Sequence, residues 1–187
     1  MRVSKEQAAE SRERILDVAS KLFREHGLDG IGVADLMKNA GLTHGGFYGH
    51  FSSKEELIAQ ACARALENSV EKWEKLCEGG RPLSVIVKSY LSTRHRDDPG
   101  EGCALAALGG DVSRQGAPVR RAVTDGVRSM VEVLARVVPG TTSAAKRKKA
   151  LAIYAGLVGA LVLARAVDDP EMSEEILQAV SASMGVK

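Results

Sequence analysis

The run VADLMKNAGLTHGGFYGHF, Val33 to Phe51, constrains the fold more than any other stretch of the chain. Leu36, Met37 and Ala40 fall on one face of a short helix, from about Val33 to Ala40. Gly41 closes that helix in a left-handed turn that a branched residue resists. Leu42 fills the angle, and a second short helix, His44 to Phe51, turns Phe47 and Phe51 toward the same core. Two short helices joined by a glycine-containing turn make a helix-turn-helix. Its glycines invite a rival reading, a loop that cradles phosphate, but such a loop follows a strand and carries Lys with Ser or Thr. No strand pattern precedes GLTHGGFYG, which matches neither the Walker pattern nor GxGxxG. The second helix is therefore held outward, with the dimensions to enter the ~12 Å wide major groove of DNA.

Helical spacing governs the rest of the chain as well. Ser4 with Gln7 forms a capping-box pattern, followed by Ile15, Val18, Ala19, Leu22 and Phe23, and Gly27 stops that helix after His26. Ser52 with Glu55 repeats the pattern before a long helix, about Ser53 to Cys77, that EGGRP ends. Further helices are expected over Pro82 to Arg96, over CALAALGGDVSR, and over Val119 to Val138, Ala144 to Val167 and Met172 to Met184. No alternating strand pattern and no repeat is present. The expectation is an all-α fold of about nine helices joined by short loops. Apolar content of 44% carried by Ala, Leu and Val, with aromatics at 4%, agrees with helices rather than sheets.

Charge argues weakly. The net value is +2, and residues 1–52 balance seven basic against seven acidic residues, so nucleic-acid binding would rest on sidedness rather than total charge. Cys62, Cys77 and Cys103 are odd in number and far apart, which fits neither a disulfide framework nor a CxxC metal site and points to a reducing cytoplasm. MRVSKEQAAESRERIL lacks the apolar run of a signal peptide. The segment Ala150 to Val167 is apolar and follows KRKK, as a membrane span would, but Arg165 lies inside it, so a buried helix is expected and no membrane partner. No Gly-x-Ser-x-Gly elbow, His-Glu-x-x-His or Glu-x-x-His pair supports an enzyme, and no catalytic, metal or cofactor residues are assigned. A helical enzyme and a helical protein that binds a partner other than DNA are the competing classes.

From Arg12 to about Ala61 the chain resembles the tetracycline-repressor-like (TetR/AcrR) transcriptional regulators. The likeness lies in a first helix ending Phe-x-x-x-Gly, an Ala-Gly turn, a Phe-Tyr-x-His-Phe run and Lys-x-x-Leu. The resemblance implies a homodimer with a three-helix DNA-binding head over residues 1–52 and a six-helix ligand-binding and dimerisation body over residues 53–187, which grips a palindromic double-stranded operator until a small-molecule effector releases it. By motif position, Tyr48, His50 and Lys54 would contact phosphates, Thr43 would cap the recognition helix and reach a phosphate, and His44, Gly45, Gly46 and Gly49 would face base edges. Gly32 stands where the family commonly has Ser or Thr, so a cap and a phosphate contact are missing there. The glycines leave few side chains to read bases, so DNA shape is expected to contribute, and the helix is expected to be loose until DNA orders it.

In the body, Trp73, Tyr90, His95 and Tyr154 are the few large polar-capable side chains, each either core or pocket wall. The surrounding Ala, Val and Leu suit an apolar or weakly polar effector. Cys103 opens a helix and carries two readings: a sensor thiol, modified by oxidants or electrophiles and favoured as thiolate by the helix amides, or a small buried apolar residue. Cys62 and Cys77 read as structural. For the dimer, Ala152, Ala155, Gly156, Gly159, Ala160 and Leu163 line one side of one helix, and Ile176 and Val180 lie on the next, which together would form a four-helix seam. The rival reading places these helices in the monomer's own core.

Overall fold

Ser4 opens the first helix as its spacing with Gln7 predicts: the Ser4 hydroxyl accepts from the Gln7 amide at 3.1 Å, and the Gln7 side chain accepts from the Ser4 amide at 3.0 Å. The computed structural model describes residues 4–78 and 82–185, and among these the chain forms nine α-helices and one 3-10 helix. They are α1 (Lys5–His26), α2 (Val33–Asn39), the 3-10 helix (His44–Gly49), α3 (Lys54–Cys77), α4 (Pro82–Tyr90), α5 (Thr93–Asp97), α6 (Ala104–Ser113), α7 (Ala117–Val137), α8 (Ser143–Ala166) and α9 (Pro170–Ser183). No strand occurs among the described residues. Gly79, Gly80 and Arg81, expected to end the long helix, lie outside the described residues.

Three expectations shift. The second capping box moves on by one residue: Ser53 caps α3 by accepting from the Glu56 amide at 3.1 Å, and the Glu56 carboxylate accepts from the Ser52 amide at 2.8 Å. The helix expected from Pro82 to Arg96 divides, because the Ser92 hydroxyl accepts from the His95 amide at 3.2 Å and starts α5 anew. The recognition segment winds as a 3-10 helix. Gly45, Gly46 and Gly49 lower its helix propensity, and its first turn lacks a side-chain cap.

The apolar core runs without a break from head to body. α1, α2 and the 3-10 helix close over Ile15, Phe23, Leu36, Met37, Phe47 and Phe51, and α3 carries the same core onward through Leu57, Ala61 and Leu66. In the body α3 lies along α7, and α8 packs against α7 and α9. The α3–α7 approach needs Gly126, where an added Cβ would stand 2.5 Å from Leu66 Cδ1. Helix α8 is long and apolar enough to cross a membrane by length and composition, yet Ala150, Ile153, Tyr154, Leu157, Leu161 and Ala164 are buried against its neighbours.

The end of α1 is tied to the body. Arg24 donates from Nε to the Gly100 carbonyl at 2.8 Å and from a second nitrogen to the same oxygen, while Nη1 donates to Ser20 Oγ at 3.0 Å. The Leu28 amide donates to Asp111 Oδ2 on α6 at 3.1 Å, and Lys21 pairs with Glu101 at 3.3 Å.

Candidate nucleic-acid interface and buried chamber

The recognition element has one wet side and one dry side. Phe47 is buried and stacks with Phe51 at a centroid distance of 5.8 Å, while Met37 supports both from α2. Gly41 makes the bend with φ +71°, the left-handed conformation expected of it. Held that way, the element exposes Thr43, His44, Gly45, Tyr48 and Gly49, with Tyr48 74% exposed and its ring edge-on to Phe47. Gly46 and His50 are half-buried. A Cβ on Gly45 or Gly49 would meet nothing within 4 Å, so packing does not require either glycine.

One expectation at this surface changes, the cap at Thr43, and Lys54 gains a second role. Thr43 occupies the N-cap position, but its hydroxyl accepts no cap bond; a 3-10 first turn does not bring the right amide to it. Lys54 is half-buried, and its ammonium donates to the Ile31 carbonyl at 2.9 Å, just ahead of α2. It thus braces α2 against α3 and lends its charge to the edge of the surface. Gly32 caps α2 without a side-chain bond, as its missing side chain dictates.

The body brings together all five residues singled out there. Trp73 on α3 meets Tyr90 on α4 and Tyr154 on α8, each edge-on at 5.9 Å, and the Tyr90 ring lies 4.6 Å from His95 on α5. Cys103 is the N-cap of α6 and is 5% exposed. Its amide donates to His95 Nε2 at 2.9 Å, so that nitrogen carries the lone pair and Nδ1–H donates to the Tyr90 carbonyl at 2.7 Å. Burial lowers the His95 pKa, and the Tyr90 carbonyl bond only partly offsets it. His95 is therefore a neutral strut, not the cation beside Cys103 that its place in the sequence suggests.

The neighbouring cation is Arg165, which sequence reasoning used only as an argument against a membrane span. It donates from Nε to the Arg96 carbonyl at 2.9 Å and from Nη2 to the His95 carbonyl at 2.7 Å, fixing α8 to α5. Its Nη1 and the hydroxyls of Tyr90 and Tyr154 are buried without a hydrogen-bond partner. A small cavity of about 40 Å³ touches Trp73, Tyr90, His95, Cys103 and Met130. It adjoins a cleft of about 500 Å³ lined by Arg24, Ser69, Lys72, Arg94, Asp98 and Glu101 among others. The approach is thus polar and charged, against the expectation of an apolar pocket, because Lys72 of α3 and Arg94 of α5 line it. Cys62 is buried and its thiol is pushed up to about 11 by that burial, and Cys77 is half-buried, in keeping with structural roles.

On α8 and α9, Ala152, Ala155 and Leu163 are exposed and Gly159 has open space above it, with Leu151, Val162 and Met172 also exposed nearby. Ala160 does not belong to that face. It is 3% exposed and packs inside the monomer, since it falls on the side of α8 turned inward with Leu157 and Leu161. Gly156 faces α9 of its own chain, where its Cβ would stand 3.0 Å from Met184 Cε, and Ile176 and Val180 are half-buried in that same contact.

Among the described residues no group of His, Cys, Asp and Glu could hold a metal ion. Residues 15–61 match the family model of bacterial regulatory proteins, tetR family. The chain is 34% identical over 88 residues to the HTH-type transcriptional regulator AcrR of Shigella flexneri, covering 46% of this chain and 40% of that protein. It is 29% identical over 84 residues to the HTH-type transcriptional repressor KstR2 of Rhodococcus jostii, covering 45% and 41%. These matches span less than half of either relative. Solved structures share the fold along nearly the whole chain: NemR of E. coli in its reduced form (TM-score 0.79, 23% identity, 95% and 96% covered) and a TetR transcriptional regulator from Legionella pneumophila (TM-score 0.79, 19% identity, all of both chains). Residues 15–61 thus carry the signature of the tetR family of bacterial regulatory proteins, and the whole chain has the fold of these solved regulators.

Proposed function

We propose that the protein is a cytoplasmic transcriptional regulator, not an enzyme, that binds a palindromic operator as a homodimer and lets go when an effector reaches the chamber around Cys103. Residues 1–52 act as the DNA-binding head and residues 53–187 as the effector-binding and dimerisation body. The observation that carries this is the two-sided recognition element: Phe47 and Phe51 anchor it while Thr43, His44, Gly45, Tyr48 and Gly49 face outward from it. Tyr48, His50, Thr43 and Lys54 supply phosphate contacts, with the bases left to His44, the glycine backbone and DNA shape. Repression is the outcome that steric occupation of an operator produces.

Two heads are needed because so thin an element reads few bases, and a twofold pair doubles the contact over half-sites ~34 Å apart. The exposed face of Ala152, Ala155, Gly159 and Leu163, with Leu151, Val162 and Met172, supplies the seam. The effector enters through the polar cleft and is small, apolar at its tip, or an electrophile or oxidant that acts on Cys103. The loop before Cys103 relays the change to α1 through Arg24, and an effector shifts the equilibrium only by binding the released and DNA-bound shapes unequally.

The test is binding of the purified protein to the DNA upstream of its own gene across a salt series. Affinity is expected to fall linearly on a log–log plot and to weaken on Tyr48→Ala. Binding that ignores salt, or that Tyr48→Ala leaves unchanged, would remove the DNA reading. Light scattering of Gly159→Glu with Leu163→Asp is expected to give monomers, and an intact dimer would move the seam elsewhere.

A further inference from the structure

Three buried donors around one sulfur have nothing to donate to. Tyr90 and Tyr154 are each 4% exposed, and their hydroxyls lie beside the Cys103 thiol without a partner of hydrogen-bond geometry. Arg165 Nη1 is the third, on a guanidinium whose other nitrogens are fixed to the carbonyls of His95 and Arg96. An unpartnered buried donor is costly, and three at one place amount to a standing cost in the resting protein. An oxygen atom attached to the Cys103 sulfur would give both hydroxyls an acceptor, and the Arg165 charge, which the thiol already feels, would favour it. Burial, and the nearness of the thiol, raise the pKa of both phenols, so they remain protonated and able to donate.

Access is selective. The cavity at Cys103 offers a water molecule's centre about 40 Å³, room for a few water-sized atoms. A peroxide fits there and a maleimide ring does not. The wide cleft of about 500 Å³ outside leads reagents only as far as this narrow end.

We propose that Cys103 is an oxidation site for small hydroperoxides, and that Tyr90, Tyr154 and Arg165 form a preset cage for the oxygen of the resulting sulfenic acid. The sulfur attacks one peroxide oxygen: an S–O bond forms, the O–O bond breaks, and the thiol proton leaves with the departing oxygen. Cys–SH and hydrogen peroxide thus give Cys–SOH and water, with sulfur oxidised by two electrons and the peroxide reduced. Arg165 and the tyrosines are positioning residues, poised for the product rather than the resting thiol. The idea rests on the reading of this chamber as the effector site and names the effector class.

The experiment treats the full-length protein with hydrogen peroxide, unfolds an aliquot at each time in denaturant containing dimedone, so that the trap reaches the buried sulfur, and locates the adduct by peptide mass spectrometry. Labelling is expected at Cys103 ahead of Cys62 and Cys77, and the lifetime of the species before trapping is expected to fall roughly tenfold in Tyr90→Phe or Tyr154→Phe, the weight of one net hydrogen bond. Reduced Tyr→Phe proteins are expected to melt no lower than wild type, since each variant removes an unpartnered hydroxyl, and that also verifies their folding. N-ethylmaleimide is expected to modify Cys77 before Cys103. Labelling that favours Cys62 or Cys77, a lifetime indifferent to both tyrosines, or maleimide reacting first at Cys103 would overturn the proposal. Operator binding on the same samples separates the two ideas. Oxidised Cys103 with unchanged affinity leaves the cage standing and removes the effector reading, while an inert Cys103 in a protein that still binds DNA removes only the cage.

Discussion

The recognition element and the Cys103 chamber both give up stability, in opposite ways. The element lacks side chains where a helix would use them: Gly45 and Gly49 have open space around them, Gly32 caps nothing, and Thr43 accepts no amide. The chamber has polar atoms where a core would avoid them, with two hydroxyls and one guanidinium nitrogen unpartnered. Absence at the surface leaves room for a large partner to approach closely. Excess in the interior awaits a small acceptor. The comparison teaches that in this molecule the places to look for function are those where the local rules of stability are broken, and that the kind of breach indicates the size of what binds.

The largest effect that would break this contrast lies beneath the element. Phe47→Ala is expected to cost about 3–5 kcal/mol in denaturant unfolding and to abolish operator binding, because Phe47 is the buried side chain within the element itself and the one on which Phe51 stacks. A smaller loss would mean that the dry side contributes little. Next comes the brace of the body: Gly126→Ala is expected to cost about 1–3 kcal/mol, as its Cβ would press on Leu66. Gly45→Ala and Gly49→Ala sharpen the comparison with the opposite sign. Each is expected to stabilise the free protein by about 0.8–1 kcal/mol and yet to weaken DNA binding, readable by melting and by fluorescence anisotropy. Gly32→Ser is expected to add a few tenths of a kcal/mol, since a Cβ there meets only Asp35 at 3.7 Å, and to tighten operator binding through a restored phosphate contact.

The last effect is a slope rather than a step. Burial lowers the pKa of folded His95 below its unfolded value of 6.5. As pH falls through 6.5 the unfolded chain takes up a proton that the folded one refuses, so stability declines from there down to the folded pKa and is complete above 6.5. Unfolding of wild type and His95→Gln between pH 5 and pH 8, on the order of the range in which histidine titrates, is expected to show the steeper fall in wild type.

Much of the head is legible in the sequence because its cues are local. A capping box at Ser4, stops at Gly27 and Gly41, and apolar spacing through Phe47 and Phe51 each work over three or four residues. The 3-10 winding of His44–Gly49 follows from the same glycines but was not deduced from them, because propensity says that a helix is weak and not what replaces it. In the body, Trp73, Tyr90, His95, Cys103 and Tyr154 can be picked out by chemistry alone, yet nothing in their spacing states that they meet. Arg165 reads only as a charge inside an apolar run because its two hydrogen bonds reach back some seventy positions, and the place of Lys72 is hidden because α3 alone does not show the cleft that α4 and α5 build over it.

The pair of hydrogen bonds that Arg24 donates to a single carbonyl has a mechanical consequence. Gly100 sits three residues ahead of Cys103, on the strap that joins α5 to α6, and the guanidinium grips it from the last turn of α1. Two nitrogens on one oxygen leave that joint no freedom to swivel. A swelling at the sulfur that lifts the strap must then either tear the joint or lever α1, and with it the whole front end of the molecule, out of alignment.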